Sequence, residues 1–137
     1  MPMEPKQSPG VAAIIIDDDP LVLRLFTRLF TRAGFLVESA GDGQRGLELI
    51  QEKKPAIVLL DLKLPVLDGF EVLRRVRGNE NIKKTPIVCF SGFGDRPGVV
   101  DECKKLGATE CITKGSLPPE KVINRILQLL GKDHLPL

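Results

Sequence analysis

The sequence predicts an α/β fold with a doubly wound parallel sheet, and three observations carry that prediction. Five short β-rich apolar runs alternate with five amphipathic segments along the chain. Three of those runs, AAIII, AIVLL and PIVCF, are apolar throughout, as central parallel strands covered by helices on both faces must be. At 137 residues the chain has room for about one domain.

The elements follow in order. The first strand is expected over 12–16. Asp19-Pro20 then offers an N-cap and a proline at the first helical position, opening a helix over 20–33. On that helix Val22, Phe26, Leu29 and Phe30 form the apolar side, and Arg24, Arg28 and Arg32 draw a basic stripe opposite. Gly34 falls just past its end. The second strand, FLVES over 35–39, is more polar and is expected at a sheet edge. An amphipathic helix over 43–53 leads to a strand over 56–60. Asp68 with Glu71 resembles a capping box, so a helix is expected over 69–77. The fourth strand is expected over 86–91, followed by a helix over 97–106 with Gly107 past its end. The fifth strand, ECIT over 110–113, is again polar enough for an edge. A last helix over 119–130 ends at Gly131. The domain therefore runs over 11–131. Residues 1–10, with three prolines, and 132–137 read as disordered tails.

Composition excludes several function classes. Lys and Arg exceed Asp and Glu by only two, too small a bias to make nucleic acid or an anionic membrane the default partner. With no Trp, no Tyr and a single His, His134, neither a histidine dyad nor a histidine metal cluster nor an aromatic stacking platform is expected. Cys89, Cys103 and Cys111 are odd in number and lack CxxC spacing, which suits buried thiols in a reducing compartment. No apolar run approaches the ~18 residues of a membrane span. A cytoplasmic protein is expected.

In a sheet of this kind ligands sit beyond the carboxyl ends of the strands. The first strand ends in Asp17, Asp18 and Asp19, the third in Asp61, the fourth in Ser91, and Lys114 follows the fifth. For Asp19 and Asp68 helix capping is the preferred reading. Clustered carboxylates repel one another, and Asp17, Asp18 and Asp61 offer only hard oxygens, so Mg²⁺ (or Mn²⁺) is the expected ion. Such an ion is completed by phosphate oxygens, while Lys114 offsets phosphoryl charge and the Ser91 hydroxyl donates to it. With no His, Cys or activated Ser on the rim, the nucleophile would be a carboxylate, with Asp61 the candidate.

IIIDDDPLV, PAIVLLDLKLPVLDGFEVLRRVR, PIVCFSG and GATECITKG together resemble the four signatures of the response-regulator receiver domain of two-component signalling. The D-x-x-x-P-x-x-D-G pattern of Asp61, Pro65, Asp68 and Gly69 is highly specific in this context. The resemblance implies a flavodoxin-like (βα)5 sandwich with strand order 2-1-3-4-5. It further implies Asp61 as phosphoacceptor, Asp18 as a direct metal ligand, Asp17 as a ligand through water and the Lys63 backbone carbonyl as another. Ser91 becomes the switch hydroxyl and Lys114 the phosphate-pairing lysine. The implied donor is a histidine kinase or histidine phosphotransfer protein, and the basic stripe of the first helix is either a solvated face or the rim of its docking surface. The implied output face is the fourth helix, fifth strand and fifth helix.

Two positions depart from the family pattern. Lys114 is followed by Gly115 where proline in a cis peptide is common, so a trans bond is expected. Cys111 stands where a Tyr or Phe usually rotates, so a switch that is attenuated or read through the fourth helix is expected. Lys63 and Phe93 sit where receivers tune attack by water, and both are expected to shield the acyl phosphate. Two rival readings remain. A haloacid-dehalogenase-like Mg²⁺ phosphohydrolase would use Asp17 as nucleophile and Asp19 as acid/base, and a pseudo-receiver would be an inert interaction module.

Overall fold

The computed structural model describes residues 11–92 and 96–131. Both predicted tails, Phe93 and His134 lie outside the described residues. Five strands, β1 (Ala12–Ile16), β2 (Leu36–Ala40), β3 (Ile57–Leu60), β4 (Ile87–Ser91) and β5 (Glu110–Thr113), alternate with α1 (Pro20–Arg32), α2 (Gly43–Lys53), α3 (Gly69–Arg77), α4 (Val99–Lys105) and α5 (Pro119–Leu130). All strand pairs are parallel, in the order β2-β1-β3-β4-β5, so the two polar strands do lie at the edges.

The period-2 geometry of the strands sorts successive side chains into two cores. Ile14 and Ile16 of β1, Val58 and Leu60 of β3, and Ile87 and Cys89 of β4 face a core completed by Leu47 and Ile50 of α2, Val72 and Val76 of α3, and Cys103 of α4. The alternate residues Ala13, Ile15, Ile57, Leu59, Val88, Phe90 and Ile112 face the other. There Phe26, Leu29 and Phe30 of α1 meet Val122, Ile123 and Ile126 of α5. This is why the central strands are apolar at every position: neither face of the sheet reaches water.

Chain ends of the helices account for most departures from the predicted limits. Asp19 accepts from the Leu21 N–H at 2.9 Å and Asp68 from the Glu71 N–H at 2.9 Å, so both are the caps their spacing indicates. The carboxylate of Glu71 pairs with Arg74 and Arg75 on its own helix. α1 closes with the Phe35 N–H on the Phe30 carbonyl and Gly34 at φ +102°, which carries Phe35 into the core against Phe30 and starts β2 one residue later than predicted. α4 is shorter than predicted. Its N-cap, Gly98, sits at φ +86° and supplies no side-chain acceptor, so the helix begins after it, at Val99. At its other end the Ala108 N–H reaches the Cys103 carbonyl, closing the helix before Gly107.

Candidate functional site

Strand pairing sets the depth of each residue on the rim. The Asp17 N–H bonds the Ala40 carbonyl at 3.0 Å and the Asp61 N–H bonds the Ile16 carbonyl at 2.9 Å, which places both acids one step beyond the ends of β1 and β3. The Lys114 N–H bonds the Ser91 carbonyl at 2.9 Å and draws the exit of β5 level with β4. Four strands thus deliver four functional groups to one end of the sheet.

Below Asp61 the loop to α3 leaves little freedom. The Gly69 N–H donates to the Leu62 carbonyl at 2.8 Å, and a Cβ on Gly69 would lie 2.2 Å from the Asp61 carbonyl oxygen. Only glycine allows α3 to start this close to the acceptor residue. Gly43, at the start of α2, is fixed on the same loop, since a Cβ there would meet the Leu67 carbonyl oxygen. At the loop tip Val66 adopts φ +70° and is 80% exposed, while the Leu67 N–H turns back to the Pro65 carbonyl at 2.7 Å.

The carboxylates of Asp17, Asp18 and Asp61 gather within 4.8 Å of one another. Asp17 and Asp61 are buried and Asp18 is exposed. Lys114 spans the two buried acids, its Nζ 2.8 Å from Asp17 Oδ2 and 3.5 Å from Asp61 Oδ2. The ammonium also lies 5.7 Å from the centre of the Phe90 ring. Asp17 Oδ1 accepts from the Asp19 N–H and Asp61 Oδ1 from the Leu62 N–H. Burial, then the charge of Asp17, pushes the Asp61 carboxyl above its ordinary range, against the pull of Lys114 and of the Leu62 and Lys63 N–H groups. Burial works against the charged form of Lys114, but the hydrogen bond to Asp17 and the charges of Asp17 and Asp61 outweigh it and hold that ammonium above its ordinary range.

Above this cluster opens a cleft of about 380 Å³ lined by Asp18, Asp61, Lys63, Ser91, Gly92 and Lys114. Asp17 lies beneath it. An oxygen-only donor set with a nearby cation and an open, polar mouth fits a hard divalent ion that keeps waters and shares a phosphate. Lys63 contributes an exposed side chain at the rim. Asp19 is outside the carboxylate cluster, its side chain committed to the α1 cap. Cys111 is half-buried on β5.

No peptide bond among the described residues is cis, which includes Lys114-Gly115. Instead, the Ser116 N–H closes a turn onto the Thr113 carbonyl at 3.1 Å with Gly115 at φ +86°. Gly115 holds the third position of that turn, where a positive φ favours glycine and proline cannot follow.

The sequence reading overlooked three features. Asp42 caps α2 through the Arg45 N–H, and its position directly before a Gly-rich helix start was the available signal. Leu21 and Leu25, 67% and 40% exposed, form an apolar groove with Arg24 and Arg28, which periodicity alone assigns to no core. Cys89, Cys103 and Cys111 converge on one point between β4, α4 and β5, which no sequence spacing reports.

Comparison with known proteins agrees with this geometry. The family model of the response regulator receiver domain matches residues 13–127. The chain is 32% identical over 105 residues to a "Probable chemotaxis protein CheY" of Rhizobium etli, covering 76% of this chain and 81% of that one. It is 32% identical over 124 residues to the transcriptional regulator RpaA of Synechocystis, covering 90% of this chain and 51% of that protein, so it spans about half the length of that relative. Among solved structures, CheY4 of Vibrio cholerae superposes with a TM-score of 0.80 at 27% identity, covering 88% of this chain and 98% of that one. A chain of the CheX-CheY-BeF3-Mg+2 complex of Borrelia burgdorferi superposes at 0.79 with 27% identity, covering 89% of this chain and 90% of that one. The five-stranded order, the acid cluster at the strand ends and the family match converge: the chain belongs to the response regulator receiver domain family.

Proposed function

We propose that this chain is a working phosphoacceptor, taking a phosphoryl group onto Asp61 from a phosphohistidine of a kinase or phosphotransfer protein. The observation that carries the reading is the Lys114 ammonium bridging Asp17 and Asp61 at the base of a cleft that Ser91 also lines. An Asp61 carboxylate oxygen attacks phosphorus, the P–N bond breaks, and the imidazole leaves with its electron pair to be reprotonated by solvent. Lys114 meets the charge of the phosphoryl oxygens and the Ser91 hydroxyl donates to one of them. Asp17, Asp18, Asp61 and the Lys63 carbonyl are the groups that would hold Mg²⁺, with Mn²⁺ as a substitute. Bound there, the ion supplies charge to hold phosphoryl oxygens in line.

Burial of Asp17 and the use of Asp19 as a helix cap speak against the phosphohydrolase reading, which needs both at the reacting centre. The retained acids, hydroxyl and lysine speak against an inert module. Donor docking falls to α1, where Arg24 and Arg28 flank exposed Leu21 and Leu25, a surface suited to an acidic, partly apolar helix bundle and not to nucleic acid. Output falls to α4, β5 and α5, with Cys111 giving a smaller side-chain movement than an aromatic ring. Lys63, exposed at the rim of the cleft, shields the acyl phosphate from water. Among the described residues no helix is long and apolar enough to cross a membrane, and a cytoplasmic site of action suits the free thiols.

Incubation with acetyl phosphate, with and without Mg²⁺, followed by intact-mass measurement tests the reading. A metal-dependent phosphate adduct that disappears in Asp61→Asn is expected. Continuous phosphate release that depends on Asp17 and Asp19 would establish the hydrolase instead, and the absence of any adduct would establish the inert module.

A further inference from the structure

We propose that Cys89, Cys103 and Cys111 form a peroxide-sensitive thiol site, in which Cys111 is oxidised first and is then captured by a buried neighbour as an intramolecular disulfide. The inference is independent of phosphorylation.

Three elements bring the thiols together. Cys89 and Cys111 are register partners on β4 and β5, so their side chains leave the same face of the sheet. Cys103 on α4 descends onto that face, and the three Sγ atoms lie within 4.8 Å of one another. All three are free; Cys89 and Cys103 are buried and Cys111 is half-buried. Neighbouring strands are about 4.8 Å apart, inside the ~4.4–6.8 Å Cα separation that disulfides span, so side-chain rotation can join Cys111 to Cys89.

The electrostatics assign different parts to the three. A hydrogen bond from Cys89, largest among the influences, together with one from Cys103 and the charge of Lys104, draws the Cys111 thiol down to about 7, while burial and Glu110 oppose it. Glu110 is itself paired with Arg125. Hydrogen bonding to Cys103 and Cys111, with burial, pushes the Cys89 thiol up and keeps it a neutral donor, even with the Arg77 guanidinium nearby. The least buried of the three cysteines is therefore the one with thiolate character, and the two resolving thiols are buried.

A soft-metal site is the competing use of three converging cysteines. Three thiolates around a monovalent or divalent cation would leave net negative charge in a core built from Ile87, Val76 and Leu73, and would require deprotonating Cys89. A disulfide leaves the same core neutral. In the first step the Cys111 thiolate attacks a hydroperoxide: an S–O bond forms, the O–O bond breaks, and alkoxide or hydroxide leaves. In the second, the neighbouring thiol attacks that sulfenic sulfur: the S–S bond forms, the S–O bond breaks, and the thiol proton departs with the hydroxyl as water.

The test treats the reduced full chain with stoichiometric hydrogen peroxide, alkylates remaining thiols under denaturing conditions, and maps peptides by mass. The expected product is a monomer with one alkylated cysteine and a cross-linked peptide pair that includes Cys111. Both Cys111→Ser and Cys111→Ala, folded by circular dichroism, are expected to lose thiols at least about tenfold more slowly. Three free thiols after treatment, overoxidation of Cys111 without a cross-link, an intermolecular disulfide, or undiminished disulfide formation in the Cys111 variants would each overturn the proposal.

Discussion

At Asp61 opposing local forces meet. Burial and the charge of Asp17 raise its proton affinity, while Lys114 and two backbone N–H groups lower it, and the first pair wins. A carboxyl whose folded proton affinity exceeds its unfolded one costs stability once ionised. The full stability is present below the ordinary carboxylate range and is lost as pH rises through the raised folded value. Asp61→Asn removes that cost and leaves Lys114 its shorter contact, 2.8 Å to Asp17. In metal-free buffer at pH 7 the variant should be more stable than the wild type by roughly 1 kcal/mol, and the gain should vanish near pH 3. Paired thermal melts across that range check it; a lower melting temperature for the variant at pH 7 would show that Asp61 contributes net attraction. Lys114 runs in the same direction with pH, although there it is the charged form that the fold favours. Its raised affinity supports the fold below the ordinary lysine range, and that support is lost as pH rises through the raised value.

At the scale of elements, the loop from β3 to α3 does the most to shape the site, and it hinges on Gly69. A Cβ there would meet backbone atoms, the Asp61 carbonyl oxygen at 2.2 Å and the Leu62 Cα at 2.7 Å, and neither can rotate away as a side chain would. Gly69→Ala should therefore cost about 1–3 kcal/mol, the range of overpacking, and displace Asp61 enough to depress acetyl-phosphate labelling even where the protein remains folded. Denaturant melts and labelling rates measured together check this; a stable variant with unchanged labelling would mean the loop relaxes freely. The sequence made these elements legible because apolar runs and caps such as Asp19 and Asp68 depend on neighbours in the chain. What it hid depends on neighbours in space. The α4 start moved to Val99 because Gly98 takes a positive φ, and Phe35 left the predicted strand to meet Phe30 edge to face. The meeting of Cys103 with Cys89 and Cys111 needs the helix to be placed over the sheet before it exists at all.

Across the whole molecule, the rim was readable for a topological reason: a parallel sheet must deliver all its carboxyl ends to one side, so acids at the ends of adjacent strands are neighbours whatever their separation in sequence. The same construction sets how the molecule answers a divalent cation. Asp17 and Asp61 extend β1 and β3, two of the three interior strands, joined by the pairing of Ile16 with Leu60, so a ligand held by both acids acts on the interior of the sheet and not on a peripheral loop. Saturation with Mg²⁺ at about a hundredfold above its dissociation constant should stabilise global unfolding by ~2.7 kcal/mol. Protons compete for the same oxygens, so the stabilisation should shrink as pH falls through the raised proton affinity of Asp61. Asp18→Asn, which removes an exposed carboxylate without touching the Lys114 bridge, should lose most of the cation effect while melting close to the wild type in metal-free buffer. Thermal melts of both proteins with and without Mg²⁺ at pH 5 and pH 8 decide it: equal shifts in the two proteins, or a larger shift at the lower pH, would place the ion elsewhere than among Asp17, Asp18 and Asp61.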